Sequence, residues 1–404
     1  MKISVVNHKE LESVDGGTTR VRNIVRGLAA RGHEVWYSCY GDRNHGTDGP
    51  NLSSVTVKKP ELRLLRKLGR SLYGGVEGEA AIGILSCNHP IATLRLHSML
   101  SSSGIIQIEQ IWSALYPLLY SKIRGKTCIL DDHNVEALLA NRLSDHVSNK
   151  NLFGAWASYV SMLERVCCML ADTVVVTSEL DKHNLARLQS VPEKKIKVIP
   201  NGTNPNLYRP DPDLAAATRS SLGLTEEDPV LTFVGRSSYP PNRLAVNYIK
   251  DILSPAVWER YPRARFLIVS RDLPSDYAEA ADPRLISISD SRDYPYINAA
   301  DICLAPLSVG GGTRIKILNY MACGKPVVST PIGVEGISAT PDKHLVLASI
   351  DHFAEAVNAC LGESSWLREM GERARELVES RWTWEKSVAM FEVLHSQLLT
   401  RNGE

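Results

Sequence analysis

Residues Val309 to Pro331, VGGGTRIKILNYMACGKPVVSTP, have the types and spacing that could grip a diphosphate: three consecutive glycines, then Thr313, Arg314 and Lys316. Gly310, Gly311 and Gly312 lack Cβ, so the backbone can take positive φ and come into contact with a ligand. The open N–H groups of a first helical turn would point outward, with about half a positive charge from the macrodipole behind them. Thr313 is a good N-cap type, and Arg314 and Lys316 add mobile cations where a diphosphate would sit. Thr313, Lys316 and Asn319 fall at i, i+3 and i+6, a polar stripe that can run along a nucleotide, while Ile315, Leu318 and Ala322 face elsewhere. Glycines that merely cap a core helix are the other reading. It is disfavoured because each glycine costs about 1 kcal/mol where it is not needed. The spacing GxxxxGK[ST] is absent, so this is not a Walker loop.

Such a loop needs a sheet to hold it. Cys323-Gly324-Lys325-Pro326 stops the helix, and the apolar run from Val327 starts a buried strand. Similar runs recur between helical stretches: Ile3 to Val6, Glu34 to Cys39, Ile105 to Ile108, Cys128 to Leu130, Thr173 to Val176 and Lys197 to Ile199 in the first half. Val230 to Val234, Phe266 to Val269, Leu285 to Ile288, Ile302 to Leu304 and His344 to Leu347 follow in the second. Short, non-alternating apolar strands separated by helices mean parallel sheets covered on both faces. The expected fold class is therefore α/β, with two Rossmann-like doubly wound domains facing across a cleft. Pro200-Asn201-Gly202-Thr203-Asn204-Pro205-Asn206, with Pro210 and Pro212 after it, is too turn-rich for a helix or strand. The expected divisions are 1–200, a linker at 201–212, a second domain at 213–380, and a closing helix at 381–404 that packs back toward the first domain.

Ligands of open parallel sheets bind beyond the carboxyl ends of the strands. Asp15-Gly16-Gly17-Thr18-Thr19-Arg20 precedes the first long helix, expected from Thr19 to Arg31. Glu109 follows Ile105 to Ile108, and Asp131-Asp132-His133-Asn134-Val135-Glu136 follows Cys128 to Leu130. Gly235-Arg236-Ser237 follows Val230 to Val234, and the triple glycine follows Ile302 to Leu304. Asp131, Asp132 and Glu136 are equally readable as solvated loop charges; Trp382 and Trp384 read as packing residues.

Composition fits a globular enzyme, with 44% hydrophobic and 23% charged residues among 404. No apolar run approaches the roughly 18 to 20 residues of a membrane span, and a strand from Lys2 leaves no room for a signal peptide, so the expected location is cytoplasmic. The eight cysteines show no CxxC or metal spacing and read as reduced and mostly buried, with no zinc expected. The first 200 residues carry 25 Lys and Arg against 19 Asp and Glu, the rest 21 against 26, an asymmetry that suggests an anionic partner for the first half. Within it, residues 58–73, KKPELRLLRKLGRSLY, place Arg63, Arg66, Lys67 and Arg70 on one helical face and Leu65, Leu68 and Leu72 on another. Two readings stand: a peripheral contact with the anionic inner membrane face, or a solvated helix face packed on the core.

Taken in order, DGGTTR, DDHNVEALLANR, ERVCCMLADTVVVTSELD, VIPNGTNPNLYRP, FVGRSSYPPN, NAADICLAPL running into GGGTRIKILNYMACGKPVVSTPIGVEG, and Trp384-Glu385 resemble the retaining glycosyltransferases of family 4 (group 1), in a GGGTR-loop variant, over nearly the whole chain. That resemblance implies the GT-B arrangement, with a nucleoside-diphosphate sugar on the second domain and an acceptor on the first. It implies that Gly16 and Gly17 lie near the donor diphosphate or acceptor, that His133 approaches the donor sugar, and that Arg236 with Gly310, Gly311, Gly312, Thr313, Arg314 and Lys316 holds the diphosphate. Asn319 would face the ribose, and Glu109 is the candidate acceptor contact, with helix capping as its alternative. His133, Arg236 and Lys316 would be catalytic in a metal-independent hexosyl transfer with retention. No cofactor is implied beyond the sugar nucleotide. The acceptor would be a saccharide, a lipid-linked or a small molecule, and no nucleic acid is involved. The chain departs from the family where two glutamates with seven residues between them are common: Gly311 and Asn319 stand there. The lysine usual after the Gly-Arg pair is also missing, Pro240-Pro241-Asn242 standing in its region, so that Lys316 or Arg314 would supply the charge. These gaps keep open a second reading, a nucleotide-sugar-binding subunit with little turnover.

Overall fold

The computed structural model describes residues 1–13, 15–40, 47–57, 96–147, 150–273, 282–290 and 292–402. The proposed lipid-facing segment 58–73 and Cys87 lie outside the described residues. Contacts divide the chain into two compact units, Met1–Pro200 with Trp384–Glu404, and Asn201–Thr383.

In the first unit, apolar runs form β1 (Lys2–Val6), β2 (Glu34–Tyr40), β4 (Leu52–Val57), β5 (Ile105–Glu109), β6 (Thr127–Asp131), β7 (Thr173–Val176) and β8 (Ile196–Val198), fully buried at β5, β6 and β7 and partly exposed at β4 and β8. Together with the short β3 (Thr47–Gly49) they lie in the order β3-β4-β2-β1-β5-β6-β7-β8. Every pairing is parallel except β3 with β4. One face carries Ile3, Val5, Ile24 and Leu28, closed by Val388, Phe391, Leu394 and Leu398 of the last helix, Trp384–Asn402. The other face buries Ile106, Ile108, Leu130, Val160 and Leu163.

The second unit holds β9 (Val230–Val234), β10 (Arg265–Val269), β11 (Leu285–Ile288), β12 (Ile302–Ala305), β13 (Val327–Ser329) and β14 (Val346–Leu347), all in parallel pairs and ordered β11-β10-β9-β12-β13-β14. Phe233, Phe266, Ile302 and Val328 pack one side; Cys303, Ile317, Met321 and Trp382 pack the other. The strand order reverses between β1 and β5 in the first unit and between β9 and β12 in the second. These are the crevices where open α/β sheets take ligands.

Two helix starts differ from the sequence expectation. Gly16–Ala30 is one helix, so GGTTR is its first turn and not a loop before it. Asp15 causes this: its carboxylate accepts the Thr18 N–H at 2.9 Å and its carbonyl the Thr19 N–H at 2.9 Å. The other helix runs Ile315–Ala322, with Arg314 at the cap position and no side-chain cap. Thr313 is not the N-cap: its carbonyl takes the Asn201 amide at 3.1 Å, and Arg314 stays extended (φ −83°, ψ 101°). The seven cysteines within the described residues are free and buried. Among the described residues no helix is long and apolar enough to cross a membrane.

Candidate functional site

At the crevice of the first unit, parallel pairing sets Glu109 opposite Asp131 at the carboxyl ends of β5 and β6. Arg20, four residues into its helix and 1% exposed, gives Nε to one Asp131 oxygen at 2.8 Å and Nη2 to the other at 3.0 Å. It also donates to the carbonyls of Ile199 (2.9 Å) and Pro200 (3.1 Å), which leaves the buried guanidinium well satisfied. His133 directs Nε2 at Glu109 Oε2 (2.8 Å) and Asp131 Oδ2 (3.5 Å), while Gln107 donates to the second Glu109 oxygen at 2.6 Å.

The charges follow from these contacts. Burial alone would lower the His133 pKa, but the hydrogen bonds and charges of Asp131 and Glu109 outweigh it and push it up to about 9. Burial would raise Asp131, and Arg20 with His133 holds it well below the carboxylate range. Glu109 is raised by burial and by the neighbouring Asp131 charge. His133 is thus an imidazolium at neutral pH, and its Nδ1–H is buried without a protein acceptor. A Cβ on Gly17 would stand 3.2 Å from that nitrogen, so only glycine keeps the space before it clear. A buried charged N–H without a protein acceptor is a group whose hydrogen-bonding capacity a ligand oxygen would satisfy.

Glu109 is fully buried and accepts from His133 on one oxygen and from Gln107 on the other, a placement that orients His133. Asp131, Asp132 and Glu136 are not solvated loop charges; all three are buried. Asp132 has no hydrogen-bond partner on either oxygen. Burial, then the charges of Glu164 and Glu136, drive its pKa far up, which keeps it protonated. Ligand-type atoms of Glu109, Asp131 and His133 lie within 4.8 Å of one another. Arg20 nevertheless takes both Asp131 oxygens and would face any cation held there, so the set is a poor metal site. Gly16 is the exposed first residue of its helix.

In the second unit, Gly235 and Arg236 directly follow the end of β9. A Cβ on Gly235 would lie 2.7 Å from Lys316 Nζ and 2.8 Å from the Asn242 carboxamide, so a larger residue would displace one of these side-chain ends. Asn242 donates to the Arg236 carbonyl at 2.9 Å and presents its oxygen to Lys316 Nζ at 2.7 Å. The ammonium also lies 4.1 Å from the centre of the Phe233 ring. Lys316 therefore reaches back to Asn242, the region where the expected lysine is missing. Burial, then the nearby Arg314 charge, bring its pKa down to about 7.

Arg236 is half-exposed and pairs with Asp272 at 3.2 Å. Asp272 also takes the Ser237 N–H (2.8 Å) and the hydroxyls of Ser270 (3.0 Å) and Ser238. Arg314 is not a mobile cation. Its side chain is 9% exposed, folds onto the Gly312 carbonyl and stands 3.9 Å from Glu335, and a Cβ on Gly310 would collide with its guanidinium. Gly312 has φ 67°, the left-handed conformation that glycine adopts freely. Asn319 is buried, its oxygen taken by the Thr203 hydroxyl at 2.7 Å and its side chain also hydrogen-bonded to the Asp293 carboxylate, so it is committed to protein partners on both sides. Lys316, Gly235 and Arg236 thus meet at the β9 end, while Arg314 and Asn319 are partly committed to protein partners. Arg20, Gln107, Asn242 and Asp272 support these groups and were missed by the sequence reasoning. Only Arg20, inside DGGTTR, and Asn242, inside PPN, lie in motifs it had marked.

Comparison with known proteins accords with this geometry. The family model described as "Glycosyltransferase Family 4" matches residues 14–207, and "Glycosyl transferases group 1" matches residues 228–363. A GDP-mannose-dependent monoacylated alpha-(1-6)-phosphatidylinositol monomannoside mannosyltransferase of Corynebacterium glutamicum is 27% identical over 232 residues, 52% of this chain and 59% of that one. The chain spans about half the length of the curated relatives it matches. Among solved structures, sucrose-phosphate synthase from Thermosynechococcus elongatus aligns with a TM-score of 0.73 at 20% identity, over 99% of each chain. The Anabaena protein HepE, in complex with UDP and glucose, gives 0.73 at 16% identity, over 98% of this chain and 99% of that one. At these identities the structures speak for the fold, and the two family models, end to end over both units, speak for ancestry: the chain belongs to glycosyltransferase family 4 and has its GT-B fold.

Proposed function

We propose that the protein transfers a hexosyl group from a nucleoside-diphosphate sugar to a hydroxyl of a saccharide, lipid-linked or small-molecule acceptor, with retention of configuration and without a metal ion. The observation that carries this reading is Lys316: a desolvated ammonium at the β9 end with one hydrogen-bond acceptor, Asn242, and no carboxylate partner among the described residues. A diphosphate would supply the missing negative charge. Arg236 and the backbone N–H groups of Gly311 and Gly312 are of the kind that would share it.

In the proposed reaction the bond from the anomeric carbon to the diphosphate oxygen breaks, and negative charge gathers on the departing diphosphate beside Lys316 and Arg236. The acceptor oxygen bonds to the anomeric carbon on the same face, and its proton passes to the leaving diphosphate oxygen. No protein carboxylate is required for that step, which suits a chain with Gly311 and Asn319 where the family often has glutamates. His133 donates Nδ1–H to a sugar oxygen. The relatives named for GDP-mannose and for UDP with glucose support a sugar-nucleotide donor.

The test is thermal unfolding with UDP, GDP and ADP, followed by release of nucleoside diphosphate from the matching hexose donors. A nucleotide present at 100 times its Kd stabilises the folded state by about 2.7 kcal/mol. Arg236→Glu combined with Lys316→Glu is expected to remove both stabilisation and release. Full stabilisation of that variant would reject the site.

A further inference from the structure

Gln110, directly after β5, has φ 63° and ψ 166°. That region belongs essentially to glycine, and a residue with a Cβ is held there only against strain. The turn itself explains the backbone: the Gln110 N–H donates to the Asp131 carbonyl at 2.9 Å, and the chain then bends into the 3-10 turn Ile111–Ser113. Glycine would make the same turn without strain, so the side chain needs its own reason. It lies beside the imidazolium described above. The Gln110 amide nitrogen is 3.3 Å, and His133 Nδ1 is 3.2 Å, from the single point where a Gly17 Cβ would stand. Asp15 Oδ1 is 3.4 Å from that point, already accepting the Thr18 N–H while its other oxygen pairs with Lys9 at 3.1 Å. The Gln110 carboxamide has no hydrogen-bond partner among the described residues, and neither has His133 Nδ1.

We infer that Gln110 is a specificity-determining residue: its carboxamide and the His133 Nδ1–H together hold hydroxyls of a sugar ring in the space left by the missing Gly17 side chain. The chemistry selects the ligand. A carboxamide offers an acceptor and two donors, and an imidazolium only donors. An apolar group would leave both unpaired, and a simple anion would leave the carboxamide oxygen unmatched. A polyol, whose hydroxyls both donate and accept, satisfies the pair. The inference rests on the proposed transfer for its claim that the ring is a substrate. The same hydroxyl chemistry belongs to the transferred sugar and to a saccharide acceptor.

Gln110→Gly is the decisive variant, because it removes the carboxamide while relieving the backbone. Its Tm is expected to equal or exceed that of the parent, with nucleoside-diphosphate affinity unchanged and kcat/KM for transfer down by about 10- to 100-fold. Preference among epimeric donors or acceptors should shrink in parallel. Loss of acceptor-free donor hydrolysis along with transfer places the hydroxyl on the transferred sugar; a raised acceptor KM with hydrolysis intact places it on the acceptor. Transfer, epimer preference and acceptor KM all equal to the parent would overturn the assignment. A second measurement stands apart from turnover: the Gln110 side-chain amide NMR signal, identified by its loss in Gln110→Gly, should shift with at least one methyl hexoside. Such a shift supports the inference even if the parent transfers nothing, an outcome that would remove the transfer reading alone. No shift with any methyl hexoside at tens of millimolar would overturn it.

Discussion

Lys316→Met removes the ammonium at the β9 end and leaves the Asn242 oxygen without its donor. The size of the effect follows from the state of that ammonium. With its pKa near 7 in the free protein, about nine in ten copies of Lys316 are neutral at pH 8. A bound diphosphate recharges the lysine, so binding at pH 8 should take up about 0.9 proton per nucleotide. The sign is fixed by linkage. A ligand that raises a depressed lysine pKa binds fully below that pKa and loses affinity as pH rises through it, here by about five-fold between pH 7 and pH 8. Isothermal titration calorimetry of UDP, GDP or ADP in buffers of different ionisation enthalpy reads the uptake directly. Lys316→Met should bind about 10- to 100-fold more weakly, the worth of one charged hydrogen bond at about 1.5 to 3 kcal/mol, and take up no proton. Wild-type uptake near zero at pH 8, or an unchanged affinity in the methionine variant, would refute the reasoning.

Four further outcomes follow from the same contacts. Transfer should decline above about pH 9 as the His133 imidazolium deprotonates; His133→Gln should lose that limb of the profile and about 100-fold in kcat, and a parent rate still rising at pH 10 would count against an imidazolium donor. Arg20→Met leaves the buried Asp131 charge with only the 3.5 Å contact to His133 and should cost about 3 to 5 kcal/mol in urea unfolding, whereas a loss below 1 kcal/mol would mean that the pair is solvated. Asp132 has its folded pKa raised above the unfolded 3.8, so its contribution to stability falls as pH rises past the unfolded value. Asp132→Asn should therefore raise Tm more at pH 8 than at pH 5, and an equal gain at both would deny the buried proton. Gly235→Ala puts a methyl group 2.7 Å from Lys316 Nζ and should weaken nucleotide binding with little loss of Tm, measured side by side in one thermal-shift series.

The sheets were legible because buried parallel strands read as apolar runs such as TVVV in β7 and ICLA in β12. β3 and β4 were not, since TDG carries no strand pattern and LSSVTV is half polar and only partly buried. Helix starts failed for a local reason: Asp15 pulled two glycines into a helix that their propensity alone would refuse, and the Asn201 amide held Thr313 out of one. The site was half visible. His133, Arg236 and the triple glycine stand in marked motifs. The partners that decide their charge are remote, with Arg20 111 residues from Asp131 and Asn242 74 residues from Lys316. Asp131, Asp132 and Glu136 could equally be read as solvated loop charges because charge usually means exposure, and only their three-dimensional surroundings decide against that reading. The conformation of Gln110 leaves no trace in its residue type.

The most direct test is an NMR time course of purified protein with UDP-, GDP- and ADP-hexoses and a panel of saccharide acceptors, reading the anomeric protons of donor and product. The account predicts that one donor is consumed, with release of its nucleoside diphosphate and a product of the same anomeric configuration. A product of inverted configuration would contradict the same-face reaction, and a protein that binds nucleoside diphosphates but consumes no donor would contradict transfer itself.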